Sequence, residues 1–438
     1  MVWPFSYWRK DMKTLSDILN VKEAYQLPNI LMQIMLDEEK RGRLLRQIKQ
    51  CHVDKTKDFI RDEYQKEHGD RERMKQDYTP DCLAELVSKL LPDSPEYADI
   101  CAGTGTLTIS NITNHGKAQV YYGEELSSRA IPFLLCNLAM RNVNAIVVQK
   151  DALTCETYAC YIVTAGKEFS NIQIDTQHHV GKKYSAIVTN PPYSMKWKPI
   201  QHRQFEGYEP LPANAADFAF ILHGLDMLAD GGTMIAIMPH GVLFREKKEE
   251  AIRQKLIDRN LIDAVIGLPE KMFLYTAIPV CLIIFKKNRN TKDIFYIDAS
   301  KECQKHGKTN VMTPNNIRKI IDVYHNRLEV KRFSALASKM LIQENDYNLN
   351  IPRYVDTYIP EPVPDMSELL TDLCTMNRDI RETEQKVLAM MEELVGSTKK
   401  DDDDIKKETA IYRTYLEKKY EQCDLKEIKC HDEMQSLF

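Results

Sequence analysis

No stretch of this 438-residue chain is apolar enough to cross a membrane. The longest apolar run, Ala277 to Phe285, falls far short of the roughly 20 residues a span needs. The N-terminus, Met1-Val-Trp-Pro-Phe-Ser-Tyr-Trp-Arg9, has no apolar core of signal-peptide length. The 11 cysteines contain no Cys-x-x-Cys pair, so they read as reduced thiols in a cytoplasmic protein. The nearest approach to a metal cluster is Cys155, Cys160, His178 and His179, whose spacing fits no standard zinc site, and no metal is expected. Neither sign of charge dominates. With 60 Lys+Arg, 64 Asp+Glu and a net charge of −4, the chain does not hold nucleic acid by bulk positive charge. A local basic face, or a partner supplying one, remains compatible with that balance.

What is present divides into three parts. Residues 1–77 read as a small helical domain: Leu27, Ile30, Leu31, Ile34 and Met35, then Leu44, Leu45 and Ile48, recur at helical spacing. Their 16 Lys+Arg and 14 Asp+Glu describe no basic arm.

Residues 78–359 alternate β-rich runs with helical stretches. Predicted strands are 97–101, 119–123, 145–149, 184–189, 233–238, 263–268 and 280–286; predicted helices include 80–91, 127–141, 213–229 and 245–259. That alternation predicts an α/β fold with a doubly wound, mainly parallel sheet. The polar stretch 155–182 reads as a surface excursion.

Residues 360–438 open with the Pro-rich stretch 360–364, a stiff linker. A helical hairpin follows. Leu369, Met376, Thr383 and Met390, with Leu373, Ile380, Val387 and Leu394, form a heptad seam. The acidic run Asp401–Asp404 suits a turn before a second helix, from about Ile405, with a poorer seam of Tyr412, Leu416, Cys423 and Cys430. The first seam needs more cover than the second offers, so internal pairing and a partner-helix interface are both open.

Chemistry concentrates at the predicted strand ends. Asp99-Ile-Cys-Ala-Gly-Thr-Gly105 follows the first strand and opens a helix, where Gly103 and Gly105 let a backbone approach a ligand. Gly123-Glu-Glu125 offers an acid for ribose hydroxyls. Asp151-Ala152 offers a carboxylate for an adenine amino group. In that order the three describe an adenosine pocket at the carboxyl edge of a sheet.

Asn190-Pro-Pro-Tyr193 is the sharpest signal. The double proline after a buried strand fixes an extended turn. It aims the Asn190 side-chain carbonyl and the Pro191 main-chain carbonyl at one point. Two acceptors hold both hydrogens of an exocyclic amine and free its lone pair for attack on a methyl group. Tyr193 offers a ring on which a planar group stacks.

With these residues the chain resembles the methyltransferase (modification) subunits of type I restriction–modification systems, which make N6-methyladenine in DNA from S-adenosylmethionine. The resemblance runs from about Gln76 to Asp356. It takes in Gln76-Asp-Tyr-Thr-Pro-Asp81, Asn190 to Trp197, Ala216-Asp-Phe-Ala-Phe-Ile-Leu-His223 and Gly241-Val-Leu-Phe-Arg245. It continues through Ile297-Asp-Ala-Ser300, Asp346-Tyr-Asn-Leu-Asn350 and Arg353-Tyr-Val355.

The resemblance implies a Rossmann-like S-adenosylmethionine-dependent fold. It implies cofactor contacts within Gln76, Asp77, Tyr78, Thr79, Pro80 and Asp81, then at Asp99, Gly103, Thr104, Gly105, Glu125, Asp151 and Ala152. It makes Asn190, Pro191, Pro192 and Tyr193 catalytic. The family commonly reads Asp-Pro-x-Cys-Gly where this chain has Asp99-Ile-Cys101-Ala-Gly, and its helical N-terminal domain is usually longer.

No cysteine stands in 188–198, so a covalent cytosine-C5 mechanism is excluded and direct transfer to nitrogen is expected. Expected partners are double-stranded DNA with a flipped adenine and a separate specificity subunit, docked through the C-terminal helices. A restriction subunit is a further candidate, and no membrane is involved. The competing readings are a solitary N-methyltransferase acting on RNA or a protein amide, and a non-catalytic cofactor-binding subunit. The charge is unevenly placed. Residues 361–438 hold 12 Lys+Arg against 20 Asp+Glu, leaving the rest of the chain mildly basic. Weak DNA binding alone and salt-sensitive binding in a complex are expected.

Overall fold

The computed structural model describes residues 14–67, 78–116, 120–176, 182–274, 276, 278–358 and 365–435, with main chain alone beyond 421. Gln76, Asp77, His178, His179 and the 360–364 linker lie outside the described residues. The chain forms two units, Met1–Tyr358 and Ile359–Phe438.

In the first unit, helices α1 (Leu15–Leu19), α2 (Leu27–Leu36), α3 (Glu38–Gln50) and α4 (Arg61–Glu67) precede the sheet. Leu27, Leu31 and Met35 of α2 and Leu44, Leu45 and Ile48 of α3 are fully buried, as their spacing predicts. They share one core with α7 (Ile131–Arg141), which follows α5 (Asp81–Leu90) and α6 (Thr106–His115).

The strands are β1 (Glu96–Ile100), β2 (Val120–Glu125), β3 (Asn144–Lys150), β4 (Thr157–Thr164), β5 (Asn171–Ile174), β6 (Tyr184–Thr189), β7 (Leu228–Pro239), β8 (Ile262–Gly267), β9 (Val280–Lys286) and β10 (Ile294–Asp298). A two-stranded ribbon, β11 (Gln304–His306) and β12 (Thr309–Val311), precedes β13 (Ser334–Ala337). Helices α8 (Asp217–Met227), α9 (Lys248–Asp258), α10 (Pro314–Asn326) and α11 (Lys339–Glu344) complete the unit.

The main sheet has 11 strands in the order β13-β10-β8-β9-β7-β6-β1-β2-β3-β4-β5. The run β7-β6-β1-β2-β3 is parallel, so five carboxyl ends face one edge. The direction of winding reverses between β1 and β6, and ligands of open α/β sheets bind outside such a reversal.

The sheet is mixed. β9 runs antiparallel between β7 and β8, and β13 antiparallel to β10. The stretch read as a surface excursion corrects to β4 and β5, which extend the sheet beyond β3 as an antiparallel meander. Polarity misled because β5 is an edge strand whose burial reads exposed, buried, exposed, exposed.

The second unit is a hairpin of α12 (Met366–Glu392) and α13 (Lys399–Gln435). α13 begins six residues before the expected Ile405, with Asp401 and Asp402 in its first turn. There their carboxylates meet unpaired N–H groups: Asp401 accepts from Thr398 N and Asp402 from Gly396 N.

Arg413 pairs with Glu392 and Lys419 with Glu384, so the helices run antiparallel. Leu416 is buried between them, but Leu369, Leu373, Met376, Ile380, Val387, Met390 and Leu394 all remain exposed. α12 therefore turns Glu384 toward its neighbour and leaves its apolar seam outward. Among the described residues no helix is long and apolar enough to cross a membrane.

Candidate active site

The turn after β1 is built from three left-handed residues, Cys101 (φ 62), Gly103 (φ 58) and Gly105 (φ 96). A Cβ at Gly103 would meet the Tyr78 ring at 2.9 Å, and one at Gly105 would meet Leu134 Cδ1 at 2.7 Å. Both glycines are thus required by conformation and by space.

The turn is tied on two sides. Gly103 N donates to Glu125 Oε2 (2.8 Å) at the end of β2, and Ser127 N donates to Glu125 Oε1 (2.7 Å). A carboxylate has about four lone-pair sites, so each oxygen retains one for a further donor. Burial pushes the Glu125 carboxyl up, while the N–H groups of Ser127 and Gly103 pull it back.

From below, Asp58 accepts from Thr104 Oγ1 (2.6 Å), Thr106 Oγ1 (2.8 Å) and Asn137 Nδ2 (2.9 Å). A residue of the N-terminal helical region therefore holds the turn. Arg61, at the start of α4, pairs with Asp81 and donates to Thr79 O (3.1 Å), so the Tyr78–Asp81 segment is fixed by the same region.

Across the sheet reversal, Asn190 stands just beyond β6. Its Nδ2 donates to Thr79 Oγ1 (2.9 Å), and its Oδ1 accepts from Tyr193 OH (2.7 Å). The Tyr193 ring meets Phe273 edge-on, with centroids 6.2 Å apart. The turn is braced from behind by Asp217, which is fully buried at the start of α8. Asp217 accepts from Ser194 N (2.9 Å) and from Arg245 Nη1 (2.8 Å), while Arg245 Nη2 donates to Ser194 Oγ (2.9 Å). A Cβ at Gly241 would sit 2.8–3.0 Å from the Arg245 guanidinium, so glycine there makes room for the brace. Tyr354 stacks on Tyr296 (4.3 Å, 22°), which fastens the 346–355 segment to β10.

These elements enclose one cavity of about 940 Å³, open mouth included. Tyr78, Thr79, Gly103, Glu125, Asp151, Ala152, Asn190, Pro191, Pro192 and Tyr193 all line it. Pro80, Asp81, Thr104 and Gly105 do not; they hold residues that do.

Asp99 does not reach the cavity either. Its side chain is fully buried under the turn, where Thr108 Oγ1 donates to it (2.7 Å), and burial pushes its carboxyl up to about 7. The cavity also takes in residues the sequence did not single out, among them Cys101, Glu124, Lys150, Met195 and Phe220. A signal for Glu124 was available: it follows Tyr122 by two on β2, which puts both on one face, and Tyr122 OH donates to Glu124 Oε1 (2.7 Å).

The arrangement brings a glycine turn, an acid with spare acceptor capacity and an amide–proline turn around one space. That combination suits a nucleoside on one side and an amine-bearing planar group on the other.

Comparison with known proteins agrees. Residues 58–361 match the N-6 DNA Methylase family. The chain is 29% identical over 326 residues to the type I restriction enzyme MpnII methylase subunit of Mycoplasma pneumoniae, covering 69% of this chain and 58% of that one. It is 28% identical over 344 residues to the MjaVII methylase subunit of Methanocaldococcus jannaschii, covering 73% and 55%. It thus spans just over half the length of these relatives. Among solved structures, the type I restriction–modification methyltransferase subunit from Streptococcus thermophilus matches with a TM-score of 0.61 at 30% identity, over 78% of this chain and 76% of that one. The EcoKI M protein shares the fold at 17% identity, with a TM-score of 0.51 over 70% and 73%.

Proposed function

The chain belongs to the N-6 DNA methylase family, and we propose that it transfers a methyl group from S-adenosylmethionine to N6 of adenine in DNA, as the modification subunit of a type I restriction–modification complex. The observation that carries this reading is the convergence of Asn190, Thr79, Gly103 and Glu125 on one cavity at the sheet reversal.

The residues fit the cofactor. The bare Gly103 main chain gives an adenosine close access, and Glu125 has acceptor capacity for two ribose hydroxyls. Asp151 stands at the end of β3 for an adenine amino group. Tyr78 and Thr79 cover the far side. Bound there, S-adenosylmethionine supplies an electrophilic sulfonium methyl.

The chain's own contribution is positioning. Asn190 Oδ1 and the Pro191 carbonyl accept the hydrogens of an exocyclic amine, and the lone pair turns out of conjugation toward the methyl. Tyr193 stacks on the base. A duplex adenine is flipped out of its stack to reach this point.

We assign residues 1–77 to a helical N-terminal domain, 78–359 to the methyltransferase domain and 360–438 to subunit docking. The outward apolar seam of α12 supports a specificity subunit as the partner there.

A tritiated-methyl assay tests the reading. The chain, with its specificity subunit, is given unmethylated duplex DNA, RNA and protein extract, and labelled nucleosides are identified after digestion. Label in N6-methyladenine from DNA is expected, and Asn190→Ala should reduce it at least about 100-fold. Label in RNA or protein only would refute the assignment. Full activity of Asn190→Ala would remove its catalytic role.

A further inference from the structure

Glu124 and Lys150 face the cavity on one side and a second, separate pocket on the other, where Cys155, His202, Gln204 and His223 stand. The proposed reaction uses none of these groups, yet they form a continuous buried chain of hydrogen bonds. Glu124 is 1% exposed and His223 2%.

His223 Nε2 lies 2.6 Å from Glu124 Oε2, and Lys150 Nζ donates to Glu124 Oε1 (2.8 Å). His223 Nδ1 lies 2.8 Å from Gln204 Oε1, which also accepts from Cys155 Sγ (2.9 Å). Gln204 Nε2 donates to the main-chain oxygens of Ala152 (3.2 Å) and Leu153 (3.4 Å).

Hydrogen-bond chemistry fixes the protons. Two carbonyl oxygens can only accept, so the Gln204 amide turns its NH2 toward Ala152 and Leu153 and its oxygen toward His223. The opposite ring nitrogen faces a carboxylate. Both nitrogens of His223 therefore donate, and the ring is an imidazolium. The titration behaviour agrees. Burial opposes the charge, but the Glu124 carboxylate outweighs it and His223 is raised to about 9. Glu124, against its own burial, is held down to about 2 by His223 and Lys150.

We infer that His223 is a positioning residue for the cofactor, locking Gln204 onto the Ala152–Leu153 carbonyls and Glu124 against Lys150, so that the adenine-side wall is set from the segment following the Asn190–Tyr193 turn. The inference rests on the cofactor site proposed above.

The connection has direction. Gln204 lies on the 194–216 segment, which is pinned to itself by Trp197 N to Ala213 O (3.0 Å) and Ala216 N to Met195 O (2.9 Å). It enters α8 at the Asp217 brace and reaches His223 two turns later. The target-side turn and the adenine-side wall are thus two ends of one rigid piece, and a loose His223 frees the Ala152 end. The charged or titratable groups facing His223 are Glu124 from β2, Lys150 from β3, Cys155 from the β3–β4 loop and, across Cys155, His202.

The test is calorimetric. S-adenosylhomocysteine is titrated into the full chain from pH 7 to 10.5 as wild type, His223→Gln and Gln204→Glu, with melting temperatures recorded alongside. Each variant's Kd is divided by the wild-type Kd at the same pH, so titration of the ligand itself cancels.

Gln204→Glu keeps the side-chain volume but loses both donors to the wall; it is expected to weaken binding about tenfold at pH 7. His223→Gln is expected to weaken it about tenfold at pH 7, with the ratio shrinking toward about one by pH 10.5, as the wild-type ring also loses its charge. A merely structural His223 would give a ratio independent of pH, and that result, or variants binding like wild type at pH 7, overturns the inference. A wild type that binds no S-adenosylhomocysteine at any pH overturns the cofactor site itself, and the inference with it.

Discussion

Gly103 shows how narrowly the candidate site is drawn at the scale of single residues. Its left-handed backbone and the Tyr78 ring 2.9 Å from any added Cβ leave no room for a side chain. Gly103→Ala carries a left-handed penalty of about 1–2 kcal/mol and displaces Tyr78. Because the displaced Tyr78 ring lines the cavity, at least about a tenfold loss of S-adenosylhomocysteine affinity is expected by calorimetry, equivalent to about 1.4 kcal/mol. The melting curve should keep a single transition. Unchanged affinity would mean that the ligand does not lie against this turn.

Glycines, acids and the Asn-Pro-Pro-Tyr run were legible in the sequence because each type has few uses at a strand end. Glu124, Lys150, Gln204 and His223 were not, although a glutamate, a lysine and a histidine sat in otherwise apolar segments. Their partners come from four separate segments, and only the fold brings them together. Asp99 was misplaced for a simpler reason. An acid beside a glycine turn suits a ligand, but strand alternation puts this one under the turn, against Thr108.

Elements explain how the two halves of the site are kept in register. Asp58 alone accepts from Thr104, Thr106 and Asn137, and it belongs to the region leading into α4. Asp58→Ala would leave the Thr104 and Thr106 hydroxyls without their acceptor and take from Asn137 Nδ2 one of its two. A loss of about 3 kcal/mol in urea unfolding is expected, since each stranded donor costs about 1–3 kcal/mol and local relaxation recovers part of it. Cofactor affinity should fall with it. A variant as stable as wild type would show that the N-terminal helices do not hold the turn.

The strands β1, β2, β3, β6, β7 and β8 and the helices α5, α7, α8 and α9 were readable because each has a clear period, whereas α10 and α11 were not singled out. β4, β5, β10 and β13 were not: β5, β10 and β13 have only four or five residues, and β4, although eight residues long, lies inside the polar stretch 155–182. In the hairpin, the seam on α12 was visible from its heptads, but its outward direction was not, because Glu384 takes the inward face through Lys419. Removal of residues 366–438 should abolish co-purification with a specificity subunit while leaving the melting of the sheet unit within a few degrees. Undiminished complex formation would remove α12 as the dock.

For the molecule as a whole, the buried Glu124–His223 pair links stability to pH. His223 is raised to about 9 from an ordinary 6.5, so its contribution is complete below 6.5 and is lost as pH rises through 9. Glu124 is lowered to about 2 from an ordinary 4.5, so its contribution is complete above 4.5 and is lost as pH falls toward 2. His223→Gln should therefore be less stable than wild type at pH 6, and the gap should close between about pH 7 and 10, as the linkage requires. Urea midpoints across that range measure it, and a constant gap would mean that the ring is neutral in the folded protein.

The sheet order also bears on how the protein is made. β1 pairs with β2 almost as soon as both exist, but its other neighbour, β6, lies 89 residues further along, where Tyr97 meets Ala186. As the chain leaves the ribosome, the glycine turn, both glutamates and β3 emerge while one edge of β1 stays bare. Such an edge invites pairing with another chain, and long-range closure of this kind is slow. Nascent chains stalled before Thr189 are thus expected to depend on chaperones, and messages cut in mid-gene to yield insoluble product. Cuts beyond the codon for Tyr358 would spare the sheet.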